Sequence, residues 1–313
     1  MQQPIVSIII PNHNCDKYIG DALLSVSAQT EKNWECIIID DASTDDSIKI
    51  IKKHIHDDKR FKLIQLSEKS GVSVARNAGL DIAQGRYIAF LDSDDCYSDT
   101  TIEMLIQLIE TTNADMAGGR AHLVNDEFKF KPNPKAMFSI ENFGLSKNPE
   151  RFLLLHKNHA WVWIWRRIYK RELIGDTRFL PEFTSFGDDL TFMLDISYRA
   201  KTCAECSNIC VYHRVHDDSI TTKKFSADNF TWFPTYFKYI KEYLLDKYDH
   251  IFWRKFYNDS FMYLISETIV KTKENNTAQA QAKETLIESC KYIPRRYLRF
   301  KYRFLCWFLS CLK

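Results

Sequence analysis

The chain has 313 residues, 45% hydrophobic and 27% charged, with a formal charge of +2. That composition belongs to a soluble globular protein long enough for one or two domains with sizeable cores. The near-neutral charge excludes a strong global attraction to nucleic acid. No apolar run reaches transmembrane length. The start, M-Q-Q-P-I-V-S-I-I-I, lacks the basic n-region of a signal peptide and reads into a strand, so a cytoplasmic location is expected. Nine cysteines in this setting are expected as reduced thiols.

Residues 5–10 are a run of mostly β-branched residues, which predicts a strand buried on both faces. Pro11 is expected to end it, leaving Asn12, His13 and Asn14 as a polar loop. Tyr18, Ile19, Ala22, Leu23 and Val26 then share one face of a helix. A second strand is expected over 35–40, E-C-I-I-I-D. After Asp41, Ser43 and Asp46 resemble a capping box for a helix with Ile48, Ile51 and Ile55 as its stripe. A third strand spans 61–66. Gly71 opens a third helix carrying Val74, Ala78 and Ile82, closed by Gly85. A fourth strand, Ile88 to Leu91, runs into Asp92, Asp94 and Asp95, and a helix with Ile102, Leu105 and Ile109 follows. The alternation predicts an α/β fold with a mostly parallel sheet flanked by helices and right-handed crossovers. In such a sheet the loops at 12–14, 40–41 and 92–95 fall along one edge and can build one site.

The rest is less regular. Residues 125–150 are polar with Pro132 and Pro134, and read as a mobile connection. Trp161, Trp163 and Trp165 alternate, so an extended segment would carry them on one side. That face would suit an acceptor sugar or, equally, core packing. Phe186 has the same ambiguity. Asp188 and Asp189 precede a helix with Phe192, Ile196 and Tyr198. Cys203, Cys206 and Cys210 with His213 have the makings of a zinc set, but the stretch reads as a strand and core or surface thiols are expected. His213 and His216 would point to opposite faces of that strand, so that at most one meets the site. Beyond residue 222 the chain reads as helical and aromatic. A catalytic domain over 1–222 and a helical region over 223–313 are expected.

The cluster at 92–95 would be costly to bury unpaired. It is either a solvated turn with helix-capping aspartates or the holder of a hard divalent cation beside substrate phosphates. The second acidic pair suits a base toward an incoming hydroxyl, with Asp189 as candidate, or a favourable helix N-terminus. A nucleotide diphosphate leaves readily only when its charge is neutralised, which a cation held at Asp94 would supply.

Motif boxes in order carry a resemblance. They are I-I-I-P-N-H-N around Pro11, Asp40-Asp41-Ala42-Ser43-Thr44-Asp45, and Gly71-x-Ser73-x-Ala75-Arg76-Asn77-x-Gly79. Then come Tyr87-Ile88-Ala89-Phe90-Leu91-Asp92-Ser93-Asp94-Asp95, and Trp165 to Leu173 with Gly187-Asp188-Asp189. Arg214-x-His216-x-x-Ser219-Ile220-Thr221 closes the series. The sequence resembles the family 2 inverting glycosyltransferases over roughly residues 5–222. Departures are His13 for Tyr, Asp188 for Glu, and Arg166-Arg167 for Asn-Lys. The resemblance implies a GT-A fold and a donor site lined by Pro11, His13, Asn14, Asp41, Ser73, Arg76, Asp92 and Ser93. It implies Mn²⁺ or Mg²⁺ held by Asp94 and His216, and Asp189 as general base. Acceptor contacts are expected from Trp163, Trp165, Phe186 and Asp188.

The expected partners are a nucleotide-sugar donor, with UDP favoured, and a glycan or lipid-linked acceptor of surface polysaccharide. Residues 295–313 are basic and aromatic without an acidic residue. They suit the anionic inner face of the cytoplasmic membrane, or alternatively a packed terminal helix. A homodimer contact through the C-terminal region is a further expectation, and nucleic acid is not expected as a partner. Two other readings compete. A nucleotidyltransferase would want a Gly-rich phosphate loop, which P-N-H-N does not provide. A non-catalytic glycan- or membrane-binding protein would bind no nucleotide.

Overall fold

A computed structural model describes residues 3–140, 142–147, 163–183, 187–216, 232–258, 276–298 and 302. The chain divides into two compact units: Met1–Phe152 with Asn158–Ser219, and Leu153–Lys157 with Ile220–Lys313.

The first unit is built on β1 (Val6–Asn12), β2 (Trp34–Asp40), β3 (Phe61–Gln65) and β4 (Tyr87–Phe90). These four are parallel in the order β3-β2-β1-β4. Every residue of β1 and β2 is buried, as their apolar β-branched runs require when helices cover both faces. Beyond β4 the sheet becomes mixed. β8 (Arg167–Lys170) runs antiparallel to β4 and to β6 (Met116–Val124). β9 (Cys203–Arg214) pairs parallel to β6, while β5 (Cys96–Tyr97) and β7 (Gly144–Ser146) add to β9 antiparallel. The flanking helices are α1 (Ile19–Ser27), α2 (Ser47–Ile55), α3 (Val72–Ile82), α4 (Thr101–Thr112), the short α5 (Arg171–Ile174) and α6 (Asp188–Arg199). The expected α/β architecture of helices around a central sheet is present.

Several local expectations are corrected. Pro11 does not end β1, which pairs with β2 through Asn12. The Ile9 carbonyl accepts from Leu91 on the β4 side, so Pro11, two residues on, turns its donorless nitrogen that way. There the β1–β4 pairing has already stopped, and no ladder bond is lost. Ser43 does not cap α2: its hydroxyl donates to Asp40 (2.6 Å), and the helix begins four residues later at Ser47. Residues 125–140 are mostly exposed or half-buried but are tied to the body of the unit at points. Phe130 is buried, and the Asn133 amide donates to Asp99 (3.0 Å). The side of α3 that the structure buries is Ser73, Ala75, Arg76 and Gly79, not Val74, Ala78 and Ile82. A polar face of this kind must find partners, and it finds them in the site.

In the second unit, α7 (Trp232–Tyr239) runs into a π-helical turn, Ile240–Leu244, and α8 (Asn276–Cys290) follows. Its centre is aromatic: Trp253 is fully buried against Phe252, Phe256 and Tyr257. Tyr297, Leu298 and Tyr302 are buried there too, while Arg295 and Arg296 face outward. The remainder of the basic tail lies outside the described residues. Among the described residues no helix is long and apolar enough to cross a membrane.

Candidate active site

The loops at the carboxyl ends of β1, β2 and β4 lie together, as parallel strands require. Asn12 at the end of β1 donates to Asp40 (2.7 Å), and Ser43 joins the two loops through the Asn14 amide (2.9 Å). His13 Nδ1 meets the Asp41 carbonyl oxygen at 2.7 Å, which fixes its ring over the end of β2. Asn14 sits at φ 48°, and its side-chain oxygen accepts from the Thr44 amide (2.8 Å). The buried Asp41 carboxylate accepts backbone amides from Ser70 (2.6 Å) and Gly71 (2.8 Å). It thereby anchors the residues from which α3 departs.

α3 is a bracket. Ser73 is fully buried and donates to the Phe183 carbonyl (2.6 Å). Asn77 clamps Phe179 in both directions, accepting from its amide and donating to its carbonyl (both 2.8 Å). These bonds hold the segment leading to the second acidic pair. Between them Arg76, 4% exposed, reaches both acidic boxes. Its Nη2 donates to Asp92 (2.8 Å), and its Nη1 donates to Asp188 and to Asp189 (2.8 Å to the latter). Burial disfavours the guanidinium charge, but Asp189, Asp188 and Asp92 outweigh it and raise its pKa.

Asp188 and Asp189 open α6 from Gly187, whose φ of 86° suits glycine. Their charges face the positive end of the helix. Burial pushes the Asp189 carboxyl well above the usual range. Arg76 pulls it back, and Asp188 and Asp92 push the same way as burial. Asp92 is raised as well, first by burial.

On the other side of the Asp92-Ser93-Asp94-Asp95 turn, two histidines arrive from β9. His213 Nδ1 lies 3.0 Å from both oxygens of Asp95, which is fully buried and also accepts the Arg214 amide (2.9 Å). Burial drives Asp95 up to about 7 against the pull of His213. Burial opposes charge on His213, but the Asp95 hydrogen bond and nearby carboxylates prevail and raise its pKa. His216 Nε2 lies 3.1 Å from Asp94 Oδ2, with its ring 4.5 Å from that of Tyr18. Both histidines therefore meet the acidic cluster, contrary to the expectation that at most one would. β9 ends at Arg214, so the alternation of a strand no longer governs His216. Arg214 locks the turn from behind, donating to the Asp94 carbonyl (3.0 Å), the Phe128 carbonyl (2.6 Å) and Asp21 (3.1 Å).

The tryptophans are not an extended aromatic face. Residues 164–166 form a 3-10 turn, and Trp163 and Trp165 stack on each other at 5.1 Å. Trp165 is 4% exposed and also stacks on His213 at 4.9 Å, so it braces the histidine. Trp161 and Phe186 lie outside the described residues. Cys203, Cys206 and Cys210 are buried on β9. Burial and then Asp94 push the Cys15 thiol up to about 12.

Sequence reasoning missed Cys15, Asn77 and Arg214 as parts of this constellation. Asn77 and Arg214 each lie in a matched box, but their partners, Phe179 and Asp94, are set by the fold. Cys15 carried no signal.

This is the architecture of a GT-A glycosyltransferase, with acidic boxes at the carboxyl edge of a Rossmann-like sheet. Residues 7–177 match the family model for glycosyl transferase family 2, and the chain belongs to that family. It is 33% identical to a Haemophilus influenzae glycosyltransferase over 76% of this chain and 90% of that one. It is 28% identical to WfgD of Escherichia coli, a UDP-Glc:alpha-D-GlcNAc-diphosphoundecaprenol beta-1,3-glucosyltransferase, over 74% of this chain and 85% of that one. Its fold is similar to that of Staphylococcus aureus TarS residues 1–349, solved with UDP-GlcNAc. The TM-score is 0.76 at 21% identity, covering 97% of this chain and 87% of that one.

Proposed function

We propose that this glycosyltransferase moves a sugar from a nucleoside diphosphate, UDP foremost, to a hydroxyl of a glycan or lipid-linked acceptor, with inversion at the anomeric carbon. The observation that carries the reading is the joining of the two acidic boxes through Arg76 beside the Asp94–His216 pair. Among the described residues no group of three or more His, Cys, Asp or Glu side chains is arranged for a metal. A cation shared with the diphosphate needs fewer protein donors. Asp94 Oδ2 and His216 Nε2, at 3.1 Å, have the spacing of adjacent donors on one octahedral ion, about 3 Å for bonds near 2.1 Å at right angles. A carboxylate with an imidazole suits Mn²⁺ better than Mg²⁺. When bound, the ion would neutralise charge gathering on the departing diphosphate.

The chain's own groups do the rest. Pro11, His13 and Asn14 form the edge against which the base of the nucleotide would lie. Asp41 has lone pairs beyond the two its amides use, enough for a base N–H. Asp92 and Ser93 face the ribose side, and Ser73 acts from behind by holding the Phe183 carbonyl. Asp189 would take the proton of the acceptor hydroxyl as its oxygen attacks the face opposite the nucleotide, and that single displacement inverts the carbon. Asp188 would orient the acceptor, as would Trp163, the more exposed of the stacked Trp163–Trp165 pair. Phe186 remains an expectation for the same side.

Surface polysaccharide synthesis is the setting that the relatives support. TuaG of Bacillus subtilis, 30% identical over 74% of this chain, is named for teichuronic acid biosynthesis. The name of WfgD specifies a lipid-diphosphate acceptor. Residues 295–313 would bring the enzyme to the anionic membrane surface where such acceptors lie. A catalytic domain over 1–222 would then be followed by this helical, membrane-facing or dimer-forming region. The test is transfer and hydrolysis with a panel of nucleotide sugars, in Mn²⁺ and in chelator. Asp94→Ala should lose metal-dependent nucleotide binding. Asp189→Asn should keep binding while transfer falls roughly 10²–10⁴-fold. A wild type that binds no nucleotide under any metal condition would overturn the reading in favour of a glycan- or membrane-binding role.

A further inference from the structure

We infer that Arg76 is a positioning residue that ties the donor-side box to the base, fixing Asp92, Asp188 and Asp189 on one guanidinium fork. This rests on the proposed role of Asp189. The geometry is specific. Nη2 takes Asp92 at the end of β4, and Nη1 takes Asp189 and Asp188 at the start of α6. The fork is rigid and planar, so it sets the angle between the two boxes, which a point charge cannot. The guanidinium is itself held in place. It is 4% exposed, it rises from a helix anchored by Asp41, and it lies 5.4 Å from the Phe179 ring that Asn77 clamps. The donor box and the base are more than ninety residues apart in the chain, and among the described residues Arg76 is the one side chain that bonds to both.

The charge matters as much as the shape. Among the described residues the charged or titratable groups around Asp189 are Arg76 from α3, Asp92 from the end of β4, Asp188 beside it and Tyr169 from β8. Of these only Arg76 is positive. Burial and the two carboxylates favour the protonated acid, which cannot accept a proton; Arg76 opposes them most strongly, with a smaller contribution from the Ile164 backbone amide. Removing it shifts the base toward the acid form.

The test compares full-length wild type with Arg76→Lys, Arg76→Met and Arg76→Met/Asp188→Asn. The double variant restores the buried charge balance should the single one fail to fold. Readouts are the pH profile of kcat/KM, kcat and nucleotide affinity in Mn²⁺. Arg76→Met should move the acidic limb upward by about one pH unit or more, since an adjacent opposite charge lowers a carboxyl by roughly 1–3. At neutral pH kcat should fall at least about tenfold, with partial recovery at higher pH. Although the family resemblance counted Arg76 among donor-site residues, its guanidinium is spent on Asp92, Asp188 and Asp189, so nucleotide affinity should stay within about threefold. Arg76→Lys keeps the charge but not the fork. Its limb should stay near wild type while kcat falls about tenfold, the loss expected from misaimed groups. Arg76→Met folded with the wild-type acidic limb and kcat would overturn the inference, as would the double variant folded with the wild-type kcat. If only Arg76→Lys folds, an unchanged kcat there would do so. Failure of the underlying reading looks different: Asp189→Asn would then retain transfer whatever happens at Arg76.

Discussion

Asp41→Asn separates a structural role from a nucleotide role at one position. Both Asp41 oxygens accept backbone amides, the part-buried one of Ser70 at 2.6 Å and the buried one of Gly71 at 2.8 Å. Asparagine offers a single acceptor oxygen. Its NH₂ group would confront one of the two N–H donors, leaving that donor unsatisfied and turning a charge-assisted bond into a neutral one. An orphaned buried donor costs about 1–3 kcal/mol, and a bond to a charged partner contributes about 1.5–3. Because the two estimates overlap, a loss of about 2–4 kcal/mol is expected. For a folding unit of about 150–250 residues, each kcal/mol shifts Tm by about 2–4 °C, so Tm should fall by roughly 5–15 °C. Circular dichroism melts without nucleotide provide the assay, with UDP titrations alongside. A Tm within about 2 °C of wild type together with weakened UDP binding would refute the anchoring argument and make Asp41 chiefly a base contact.

Other outcomes follow from the same contacts. Asn77→Ala removes both bonds to Phe179. It should cost about 1–3 kcal/mol in a denaturant titration and slow transfer more than it weakens nucleotide binding. At Gly79 a Cβ would sit 2.5 Å from Ile9 Cγ2. Overpacking of that kind costs about 1–3 kcal/mol, against a helix-propensity gain of at most about 1. Gly79→Ala should therefore lower Tm in the wild type but not in an Ile9→Ala background. Asp95 is held at about 7 against an ordinary value of 3.8, so the folded protein binds its proton more tightly than the unfolded chain does. Its contribution is greatest below the unfolded value and is lost as pH rises toward about 7, and the raised His213 acts in the same direction. In chelator, the fall of Tm between pH 5 and 8 should be shallower for Asp95→Asn than for wild type, as read by melts across about that range. The membrane-surface proposal is checked by sedimentation with anionic vesicles at low salt, where attraction is strongest. Absence of the protein from the pellet there would end it.

What the sequence determined by itself is what local pattern and spacing control. Buried runs at 6–10 and 35–40, helical stripes such as Ile19-Ala22-Leu23-Val26, and the turn chemistry of Asp92 to Asp95 made the alternating half of the sheet legible. Family boxes in order added the enzyme class. Tertiary structure decided which side chains meet. Arg76 finds Asp188 and Asp189 across more than a hundred residues, and Asn77 likewise finds Phe179. No periodicity encodes such contacts, because they depend on how α3 and α6 lie against the sheet. The same reason explains why α3 buries serine and arginine where an apolar stripe was expected. A polar face survives burial only when partners from distant segments are brought to it, and those partners exist only in the folded chain. His216 makes the point most simply: its direction could not be read from strand alternation, since β9 ends two residues before it, and the Asp94 carboxylate it meets lies 122 residues away in the chain.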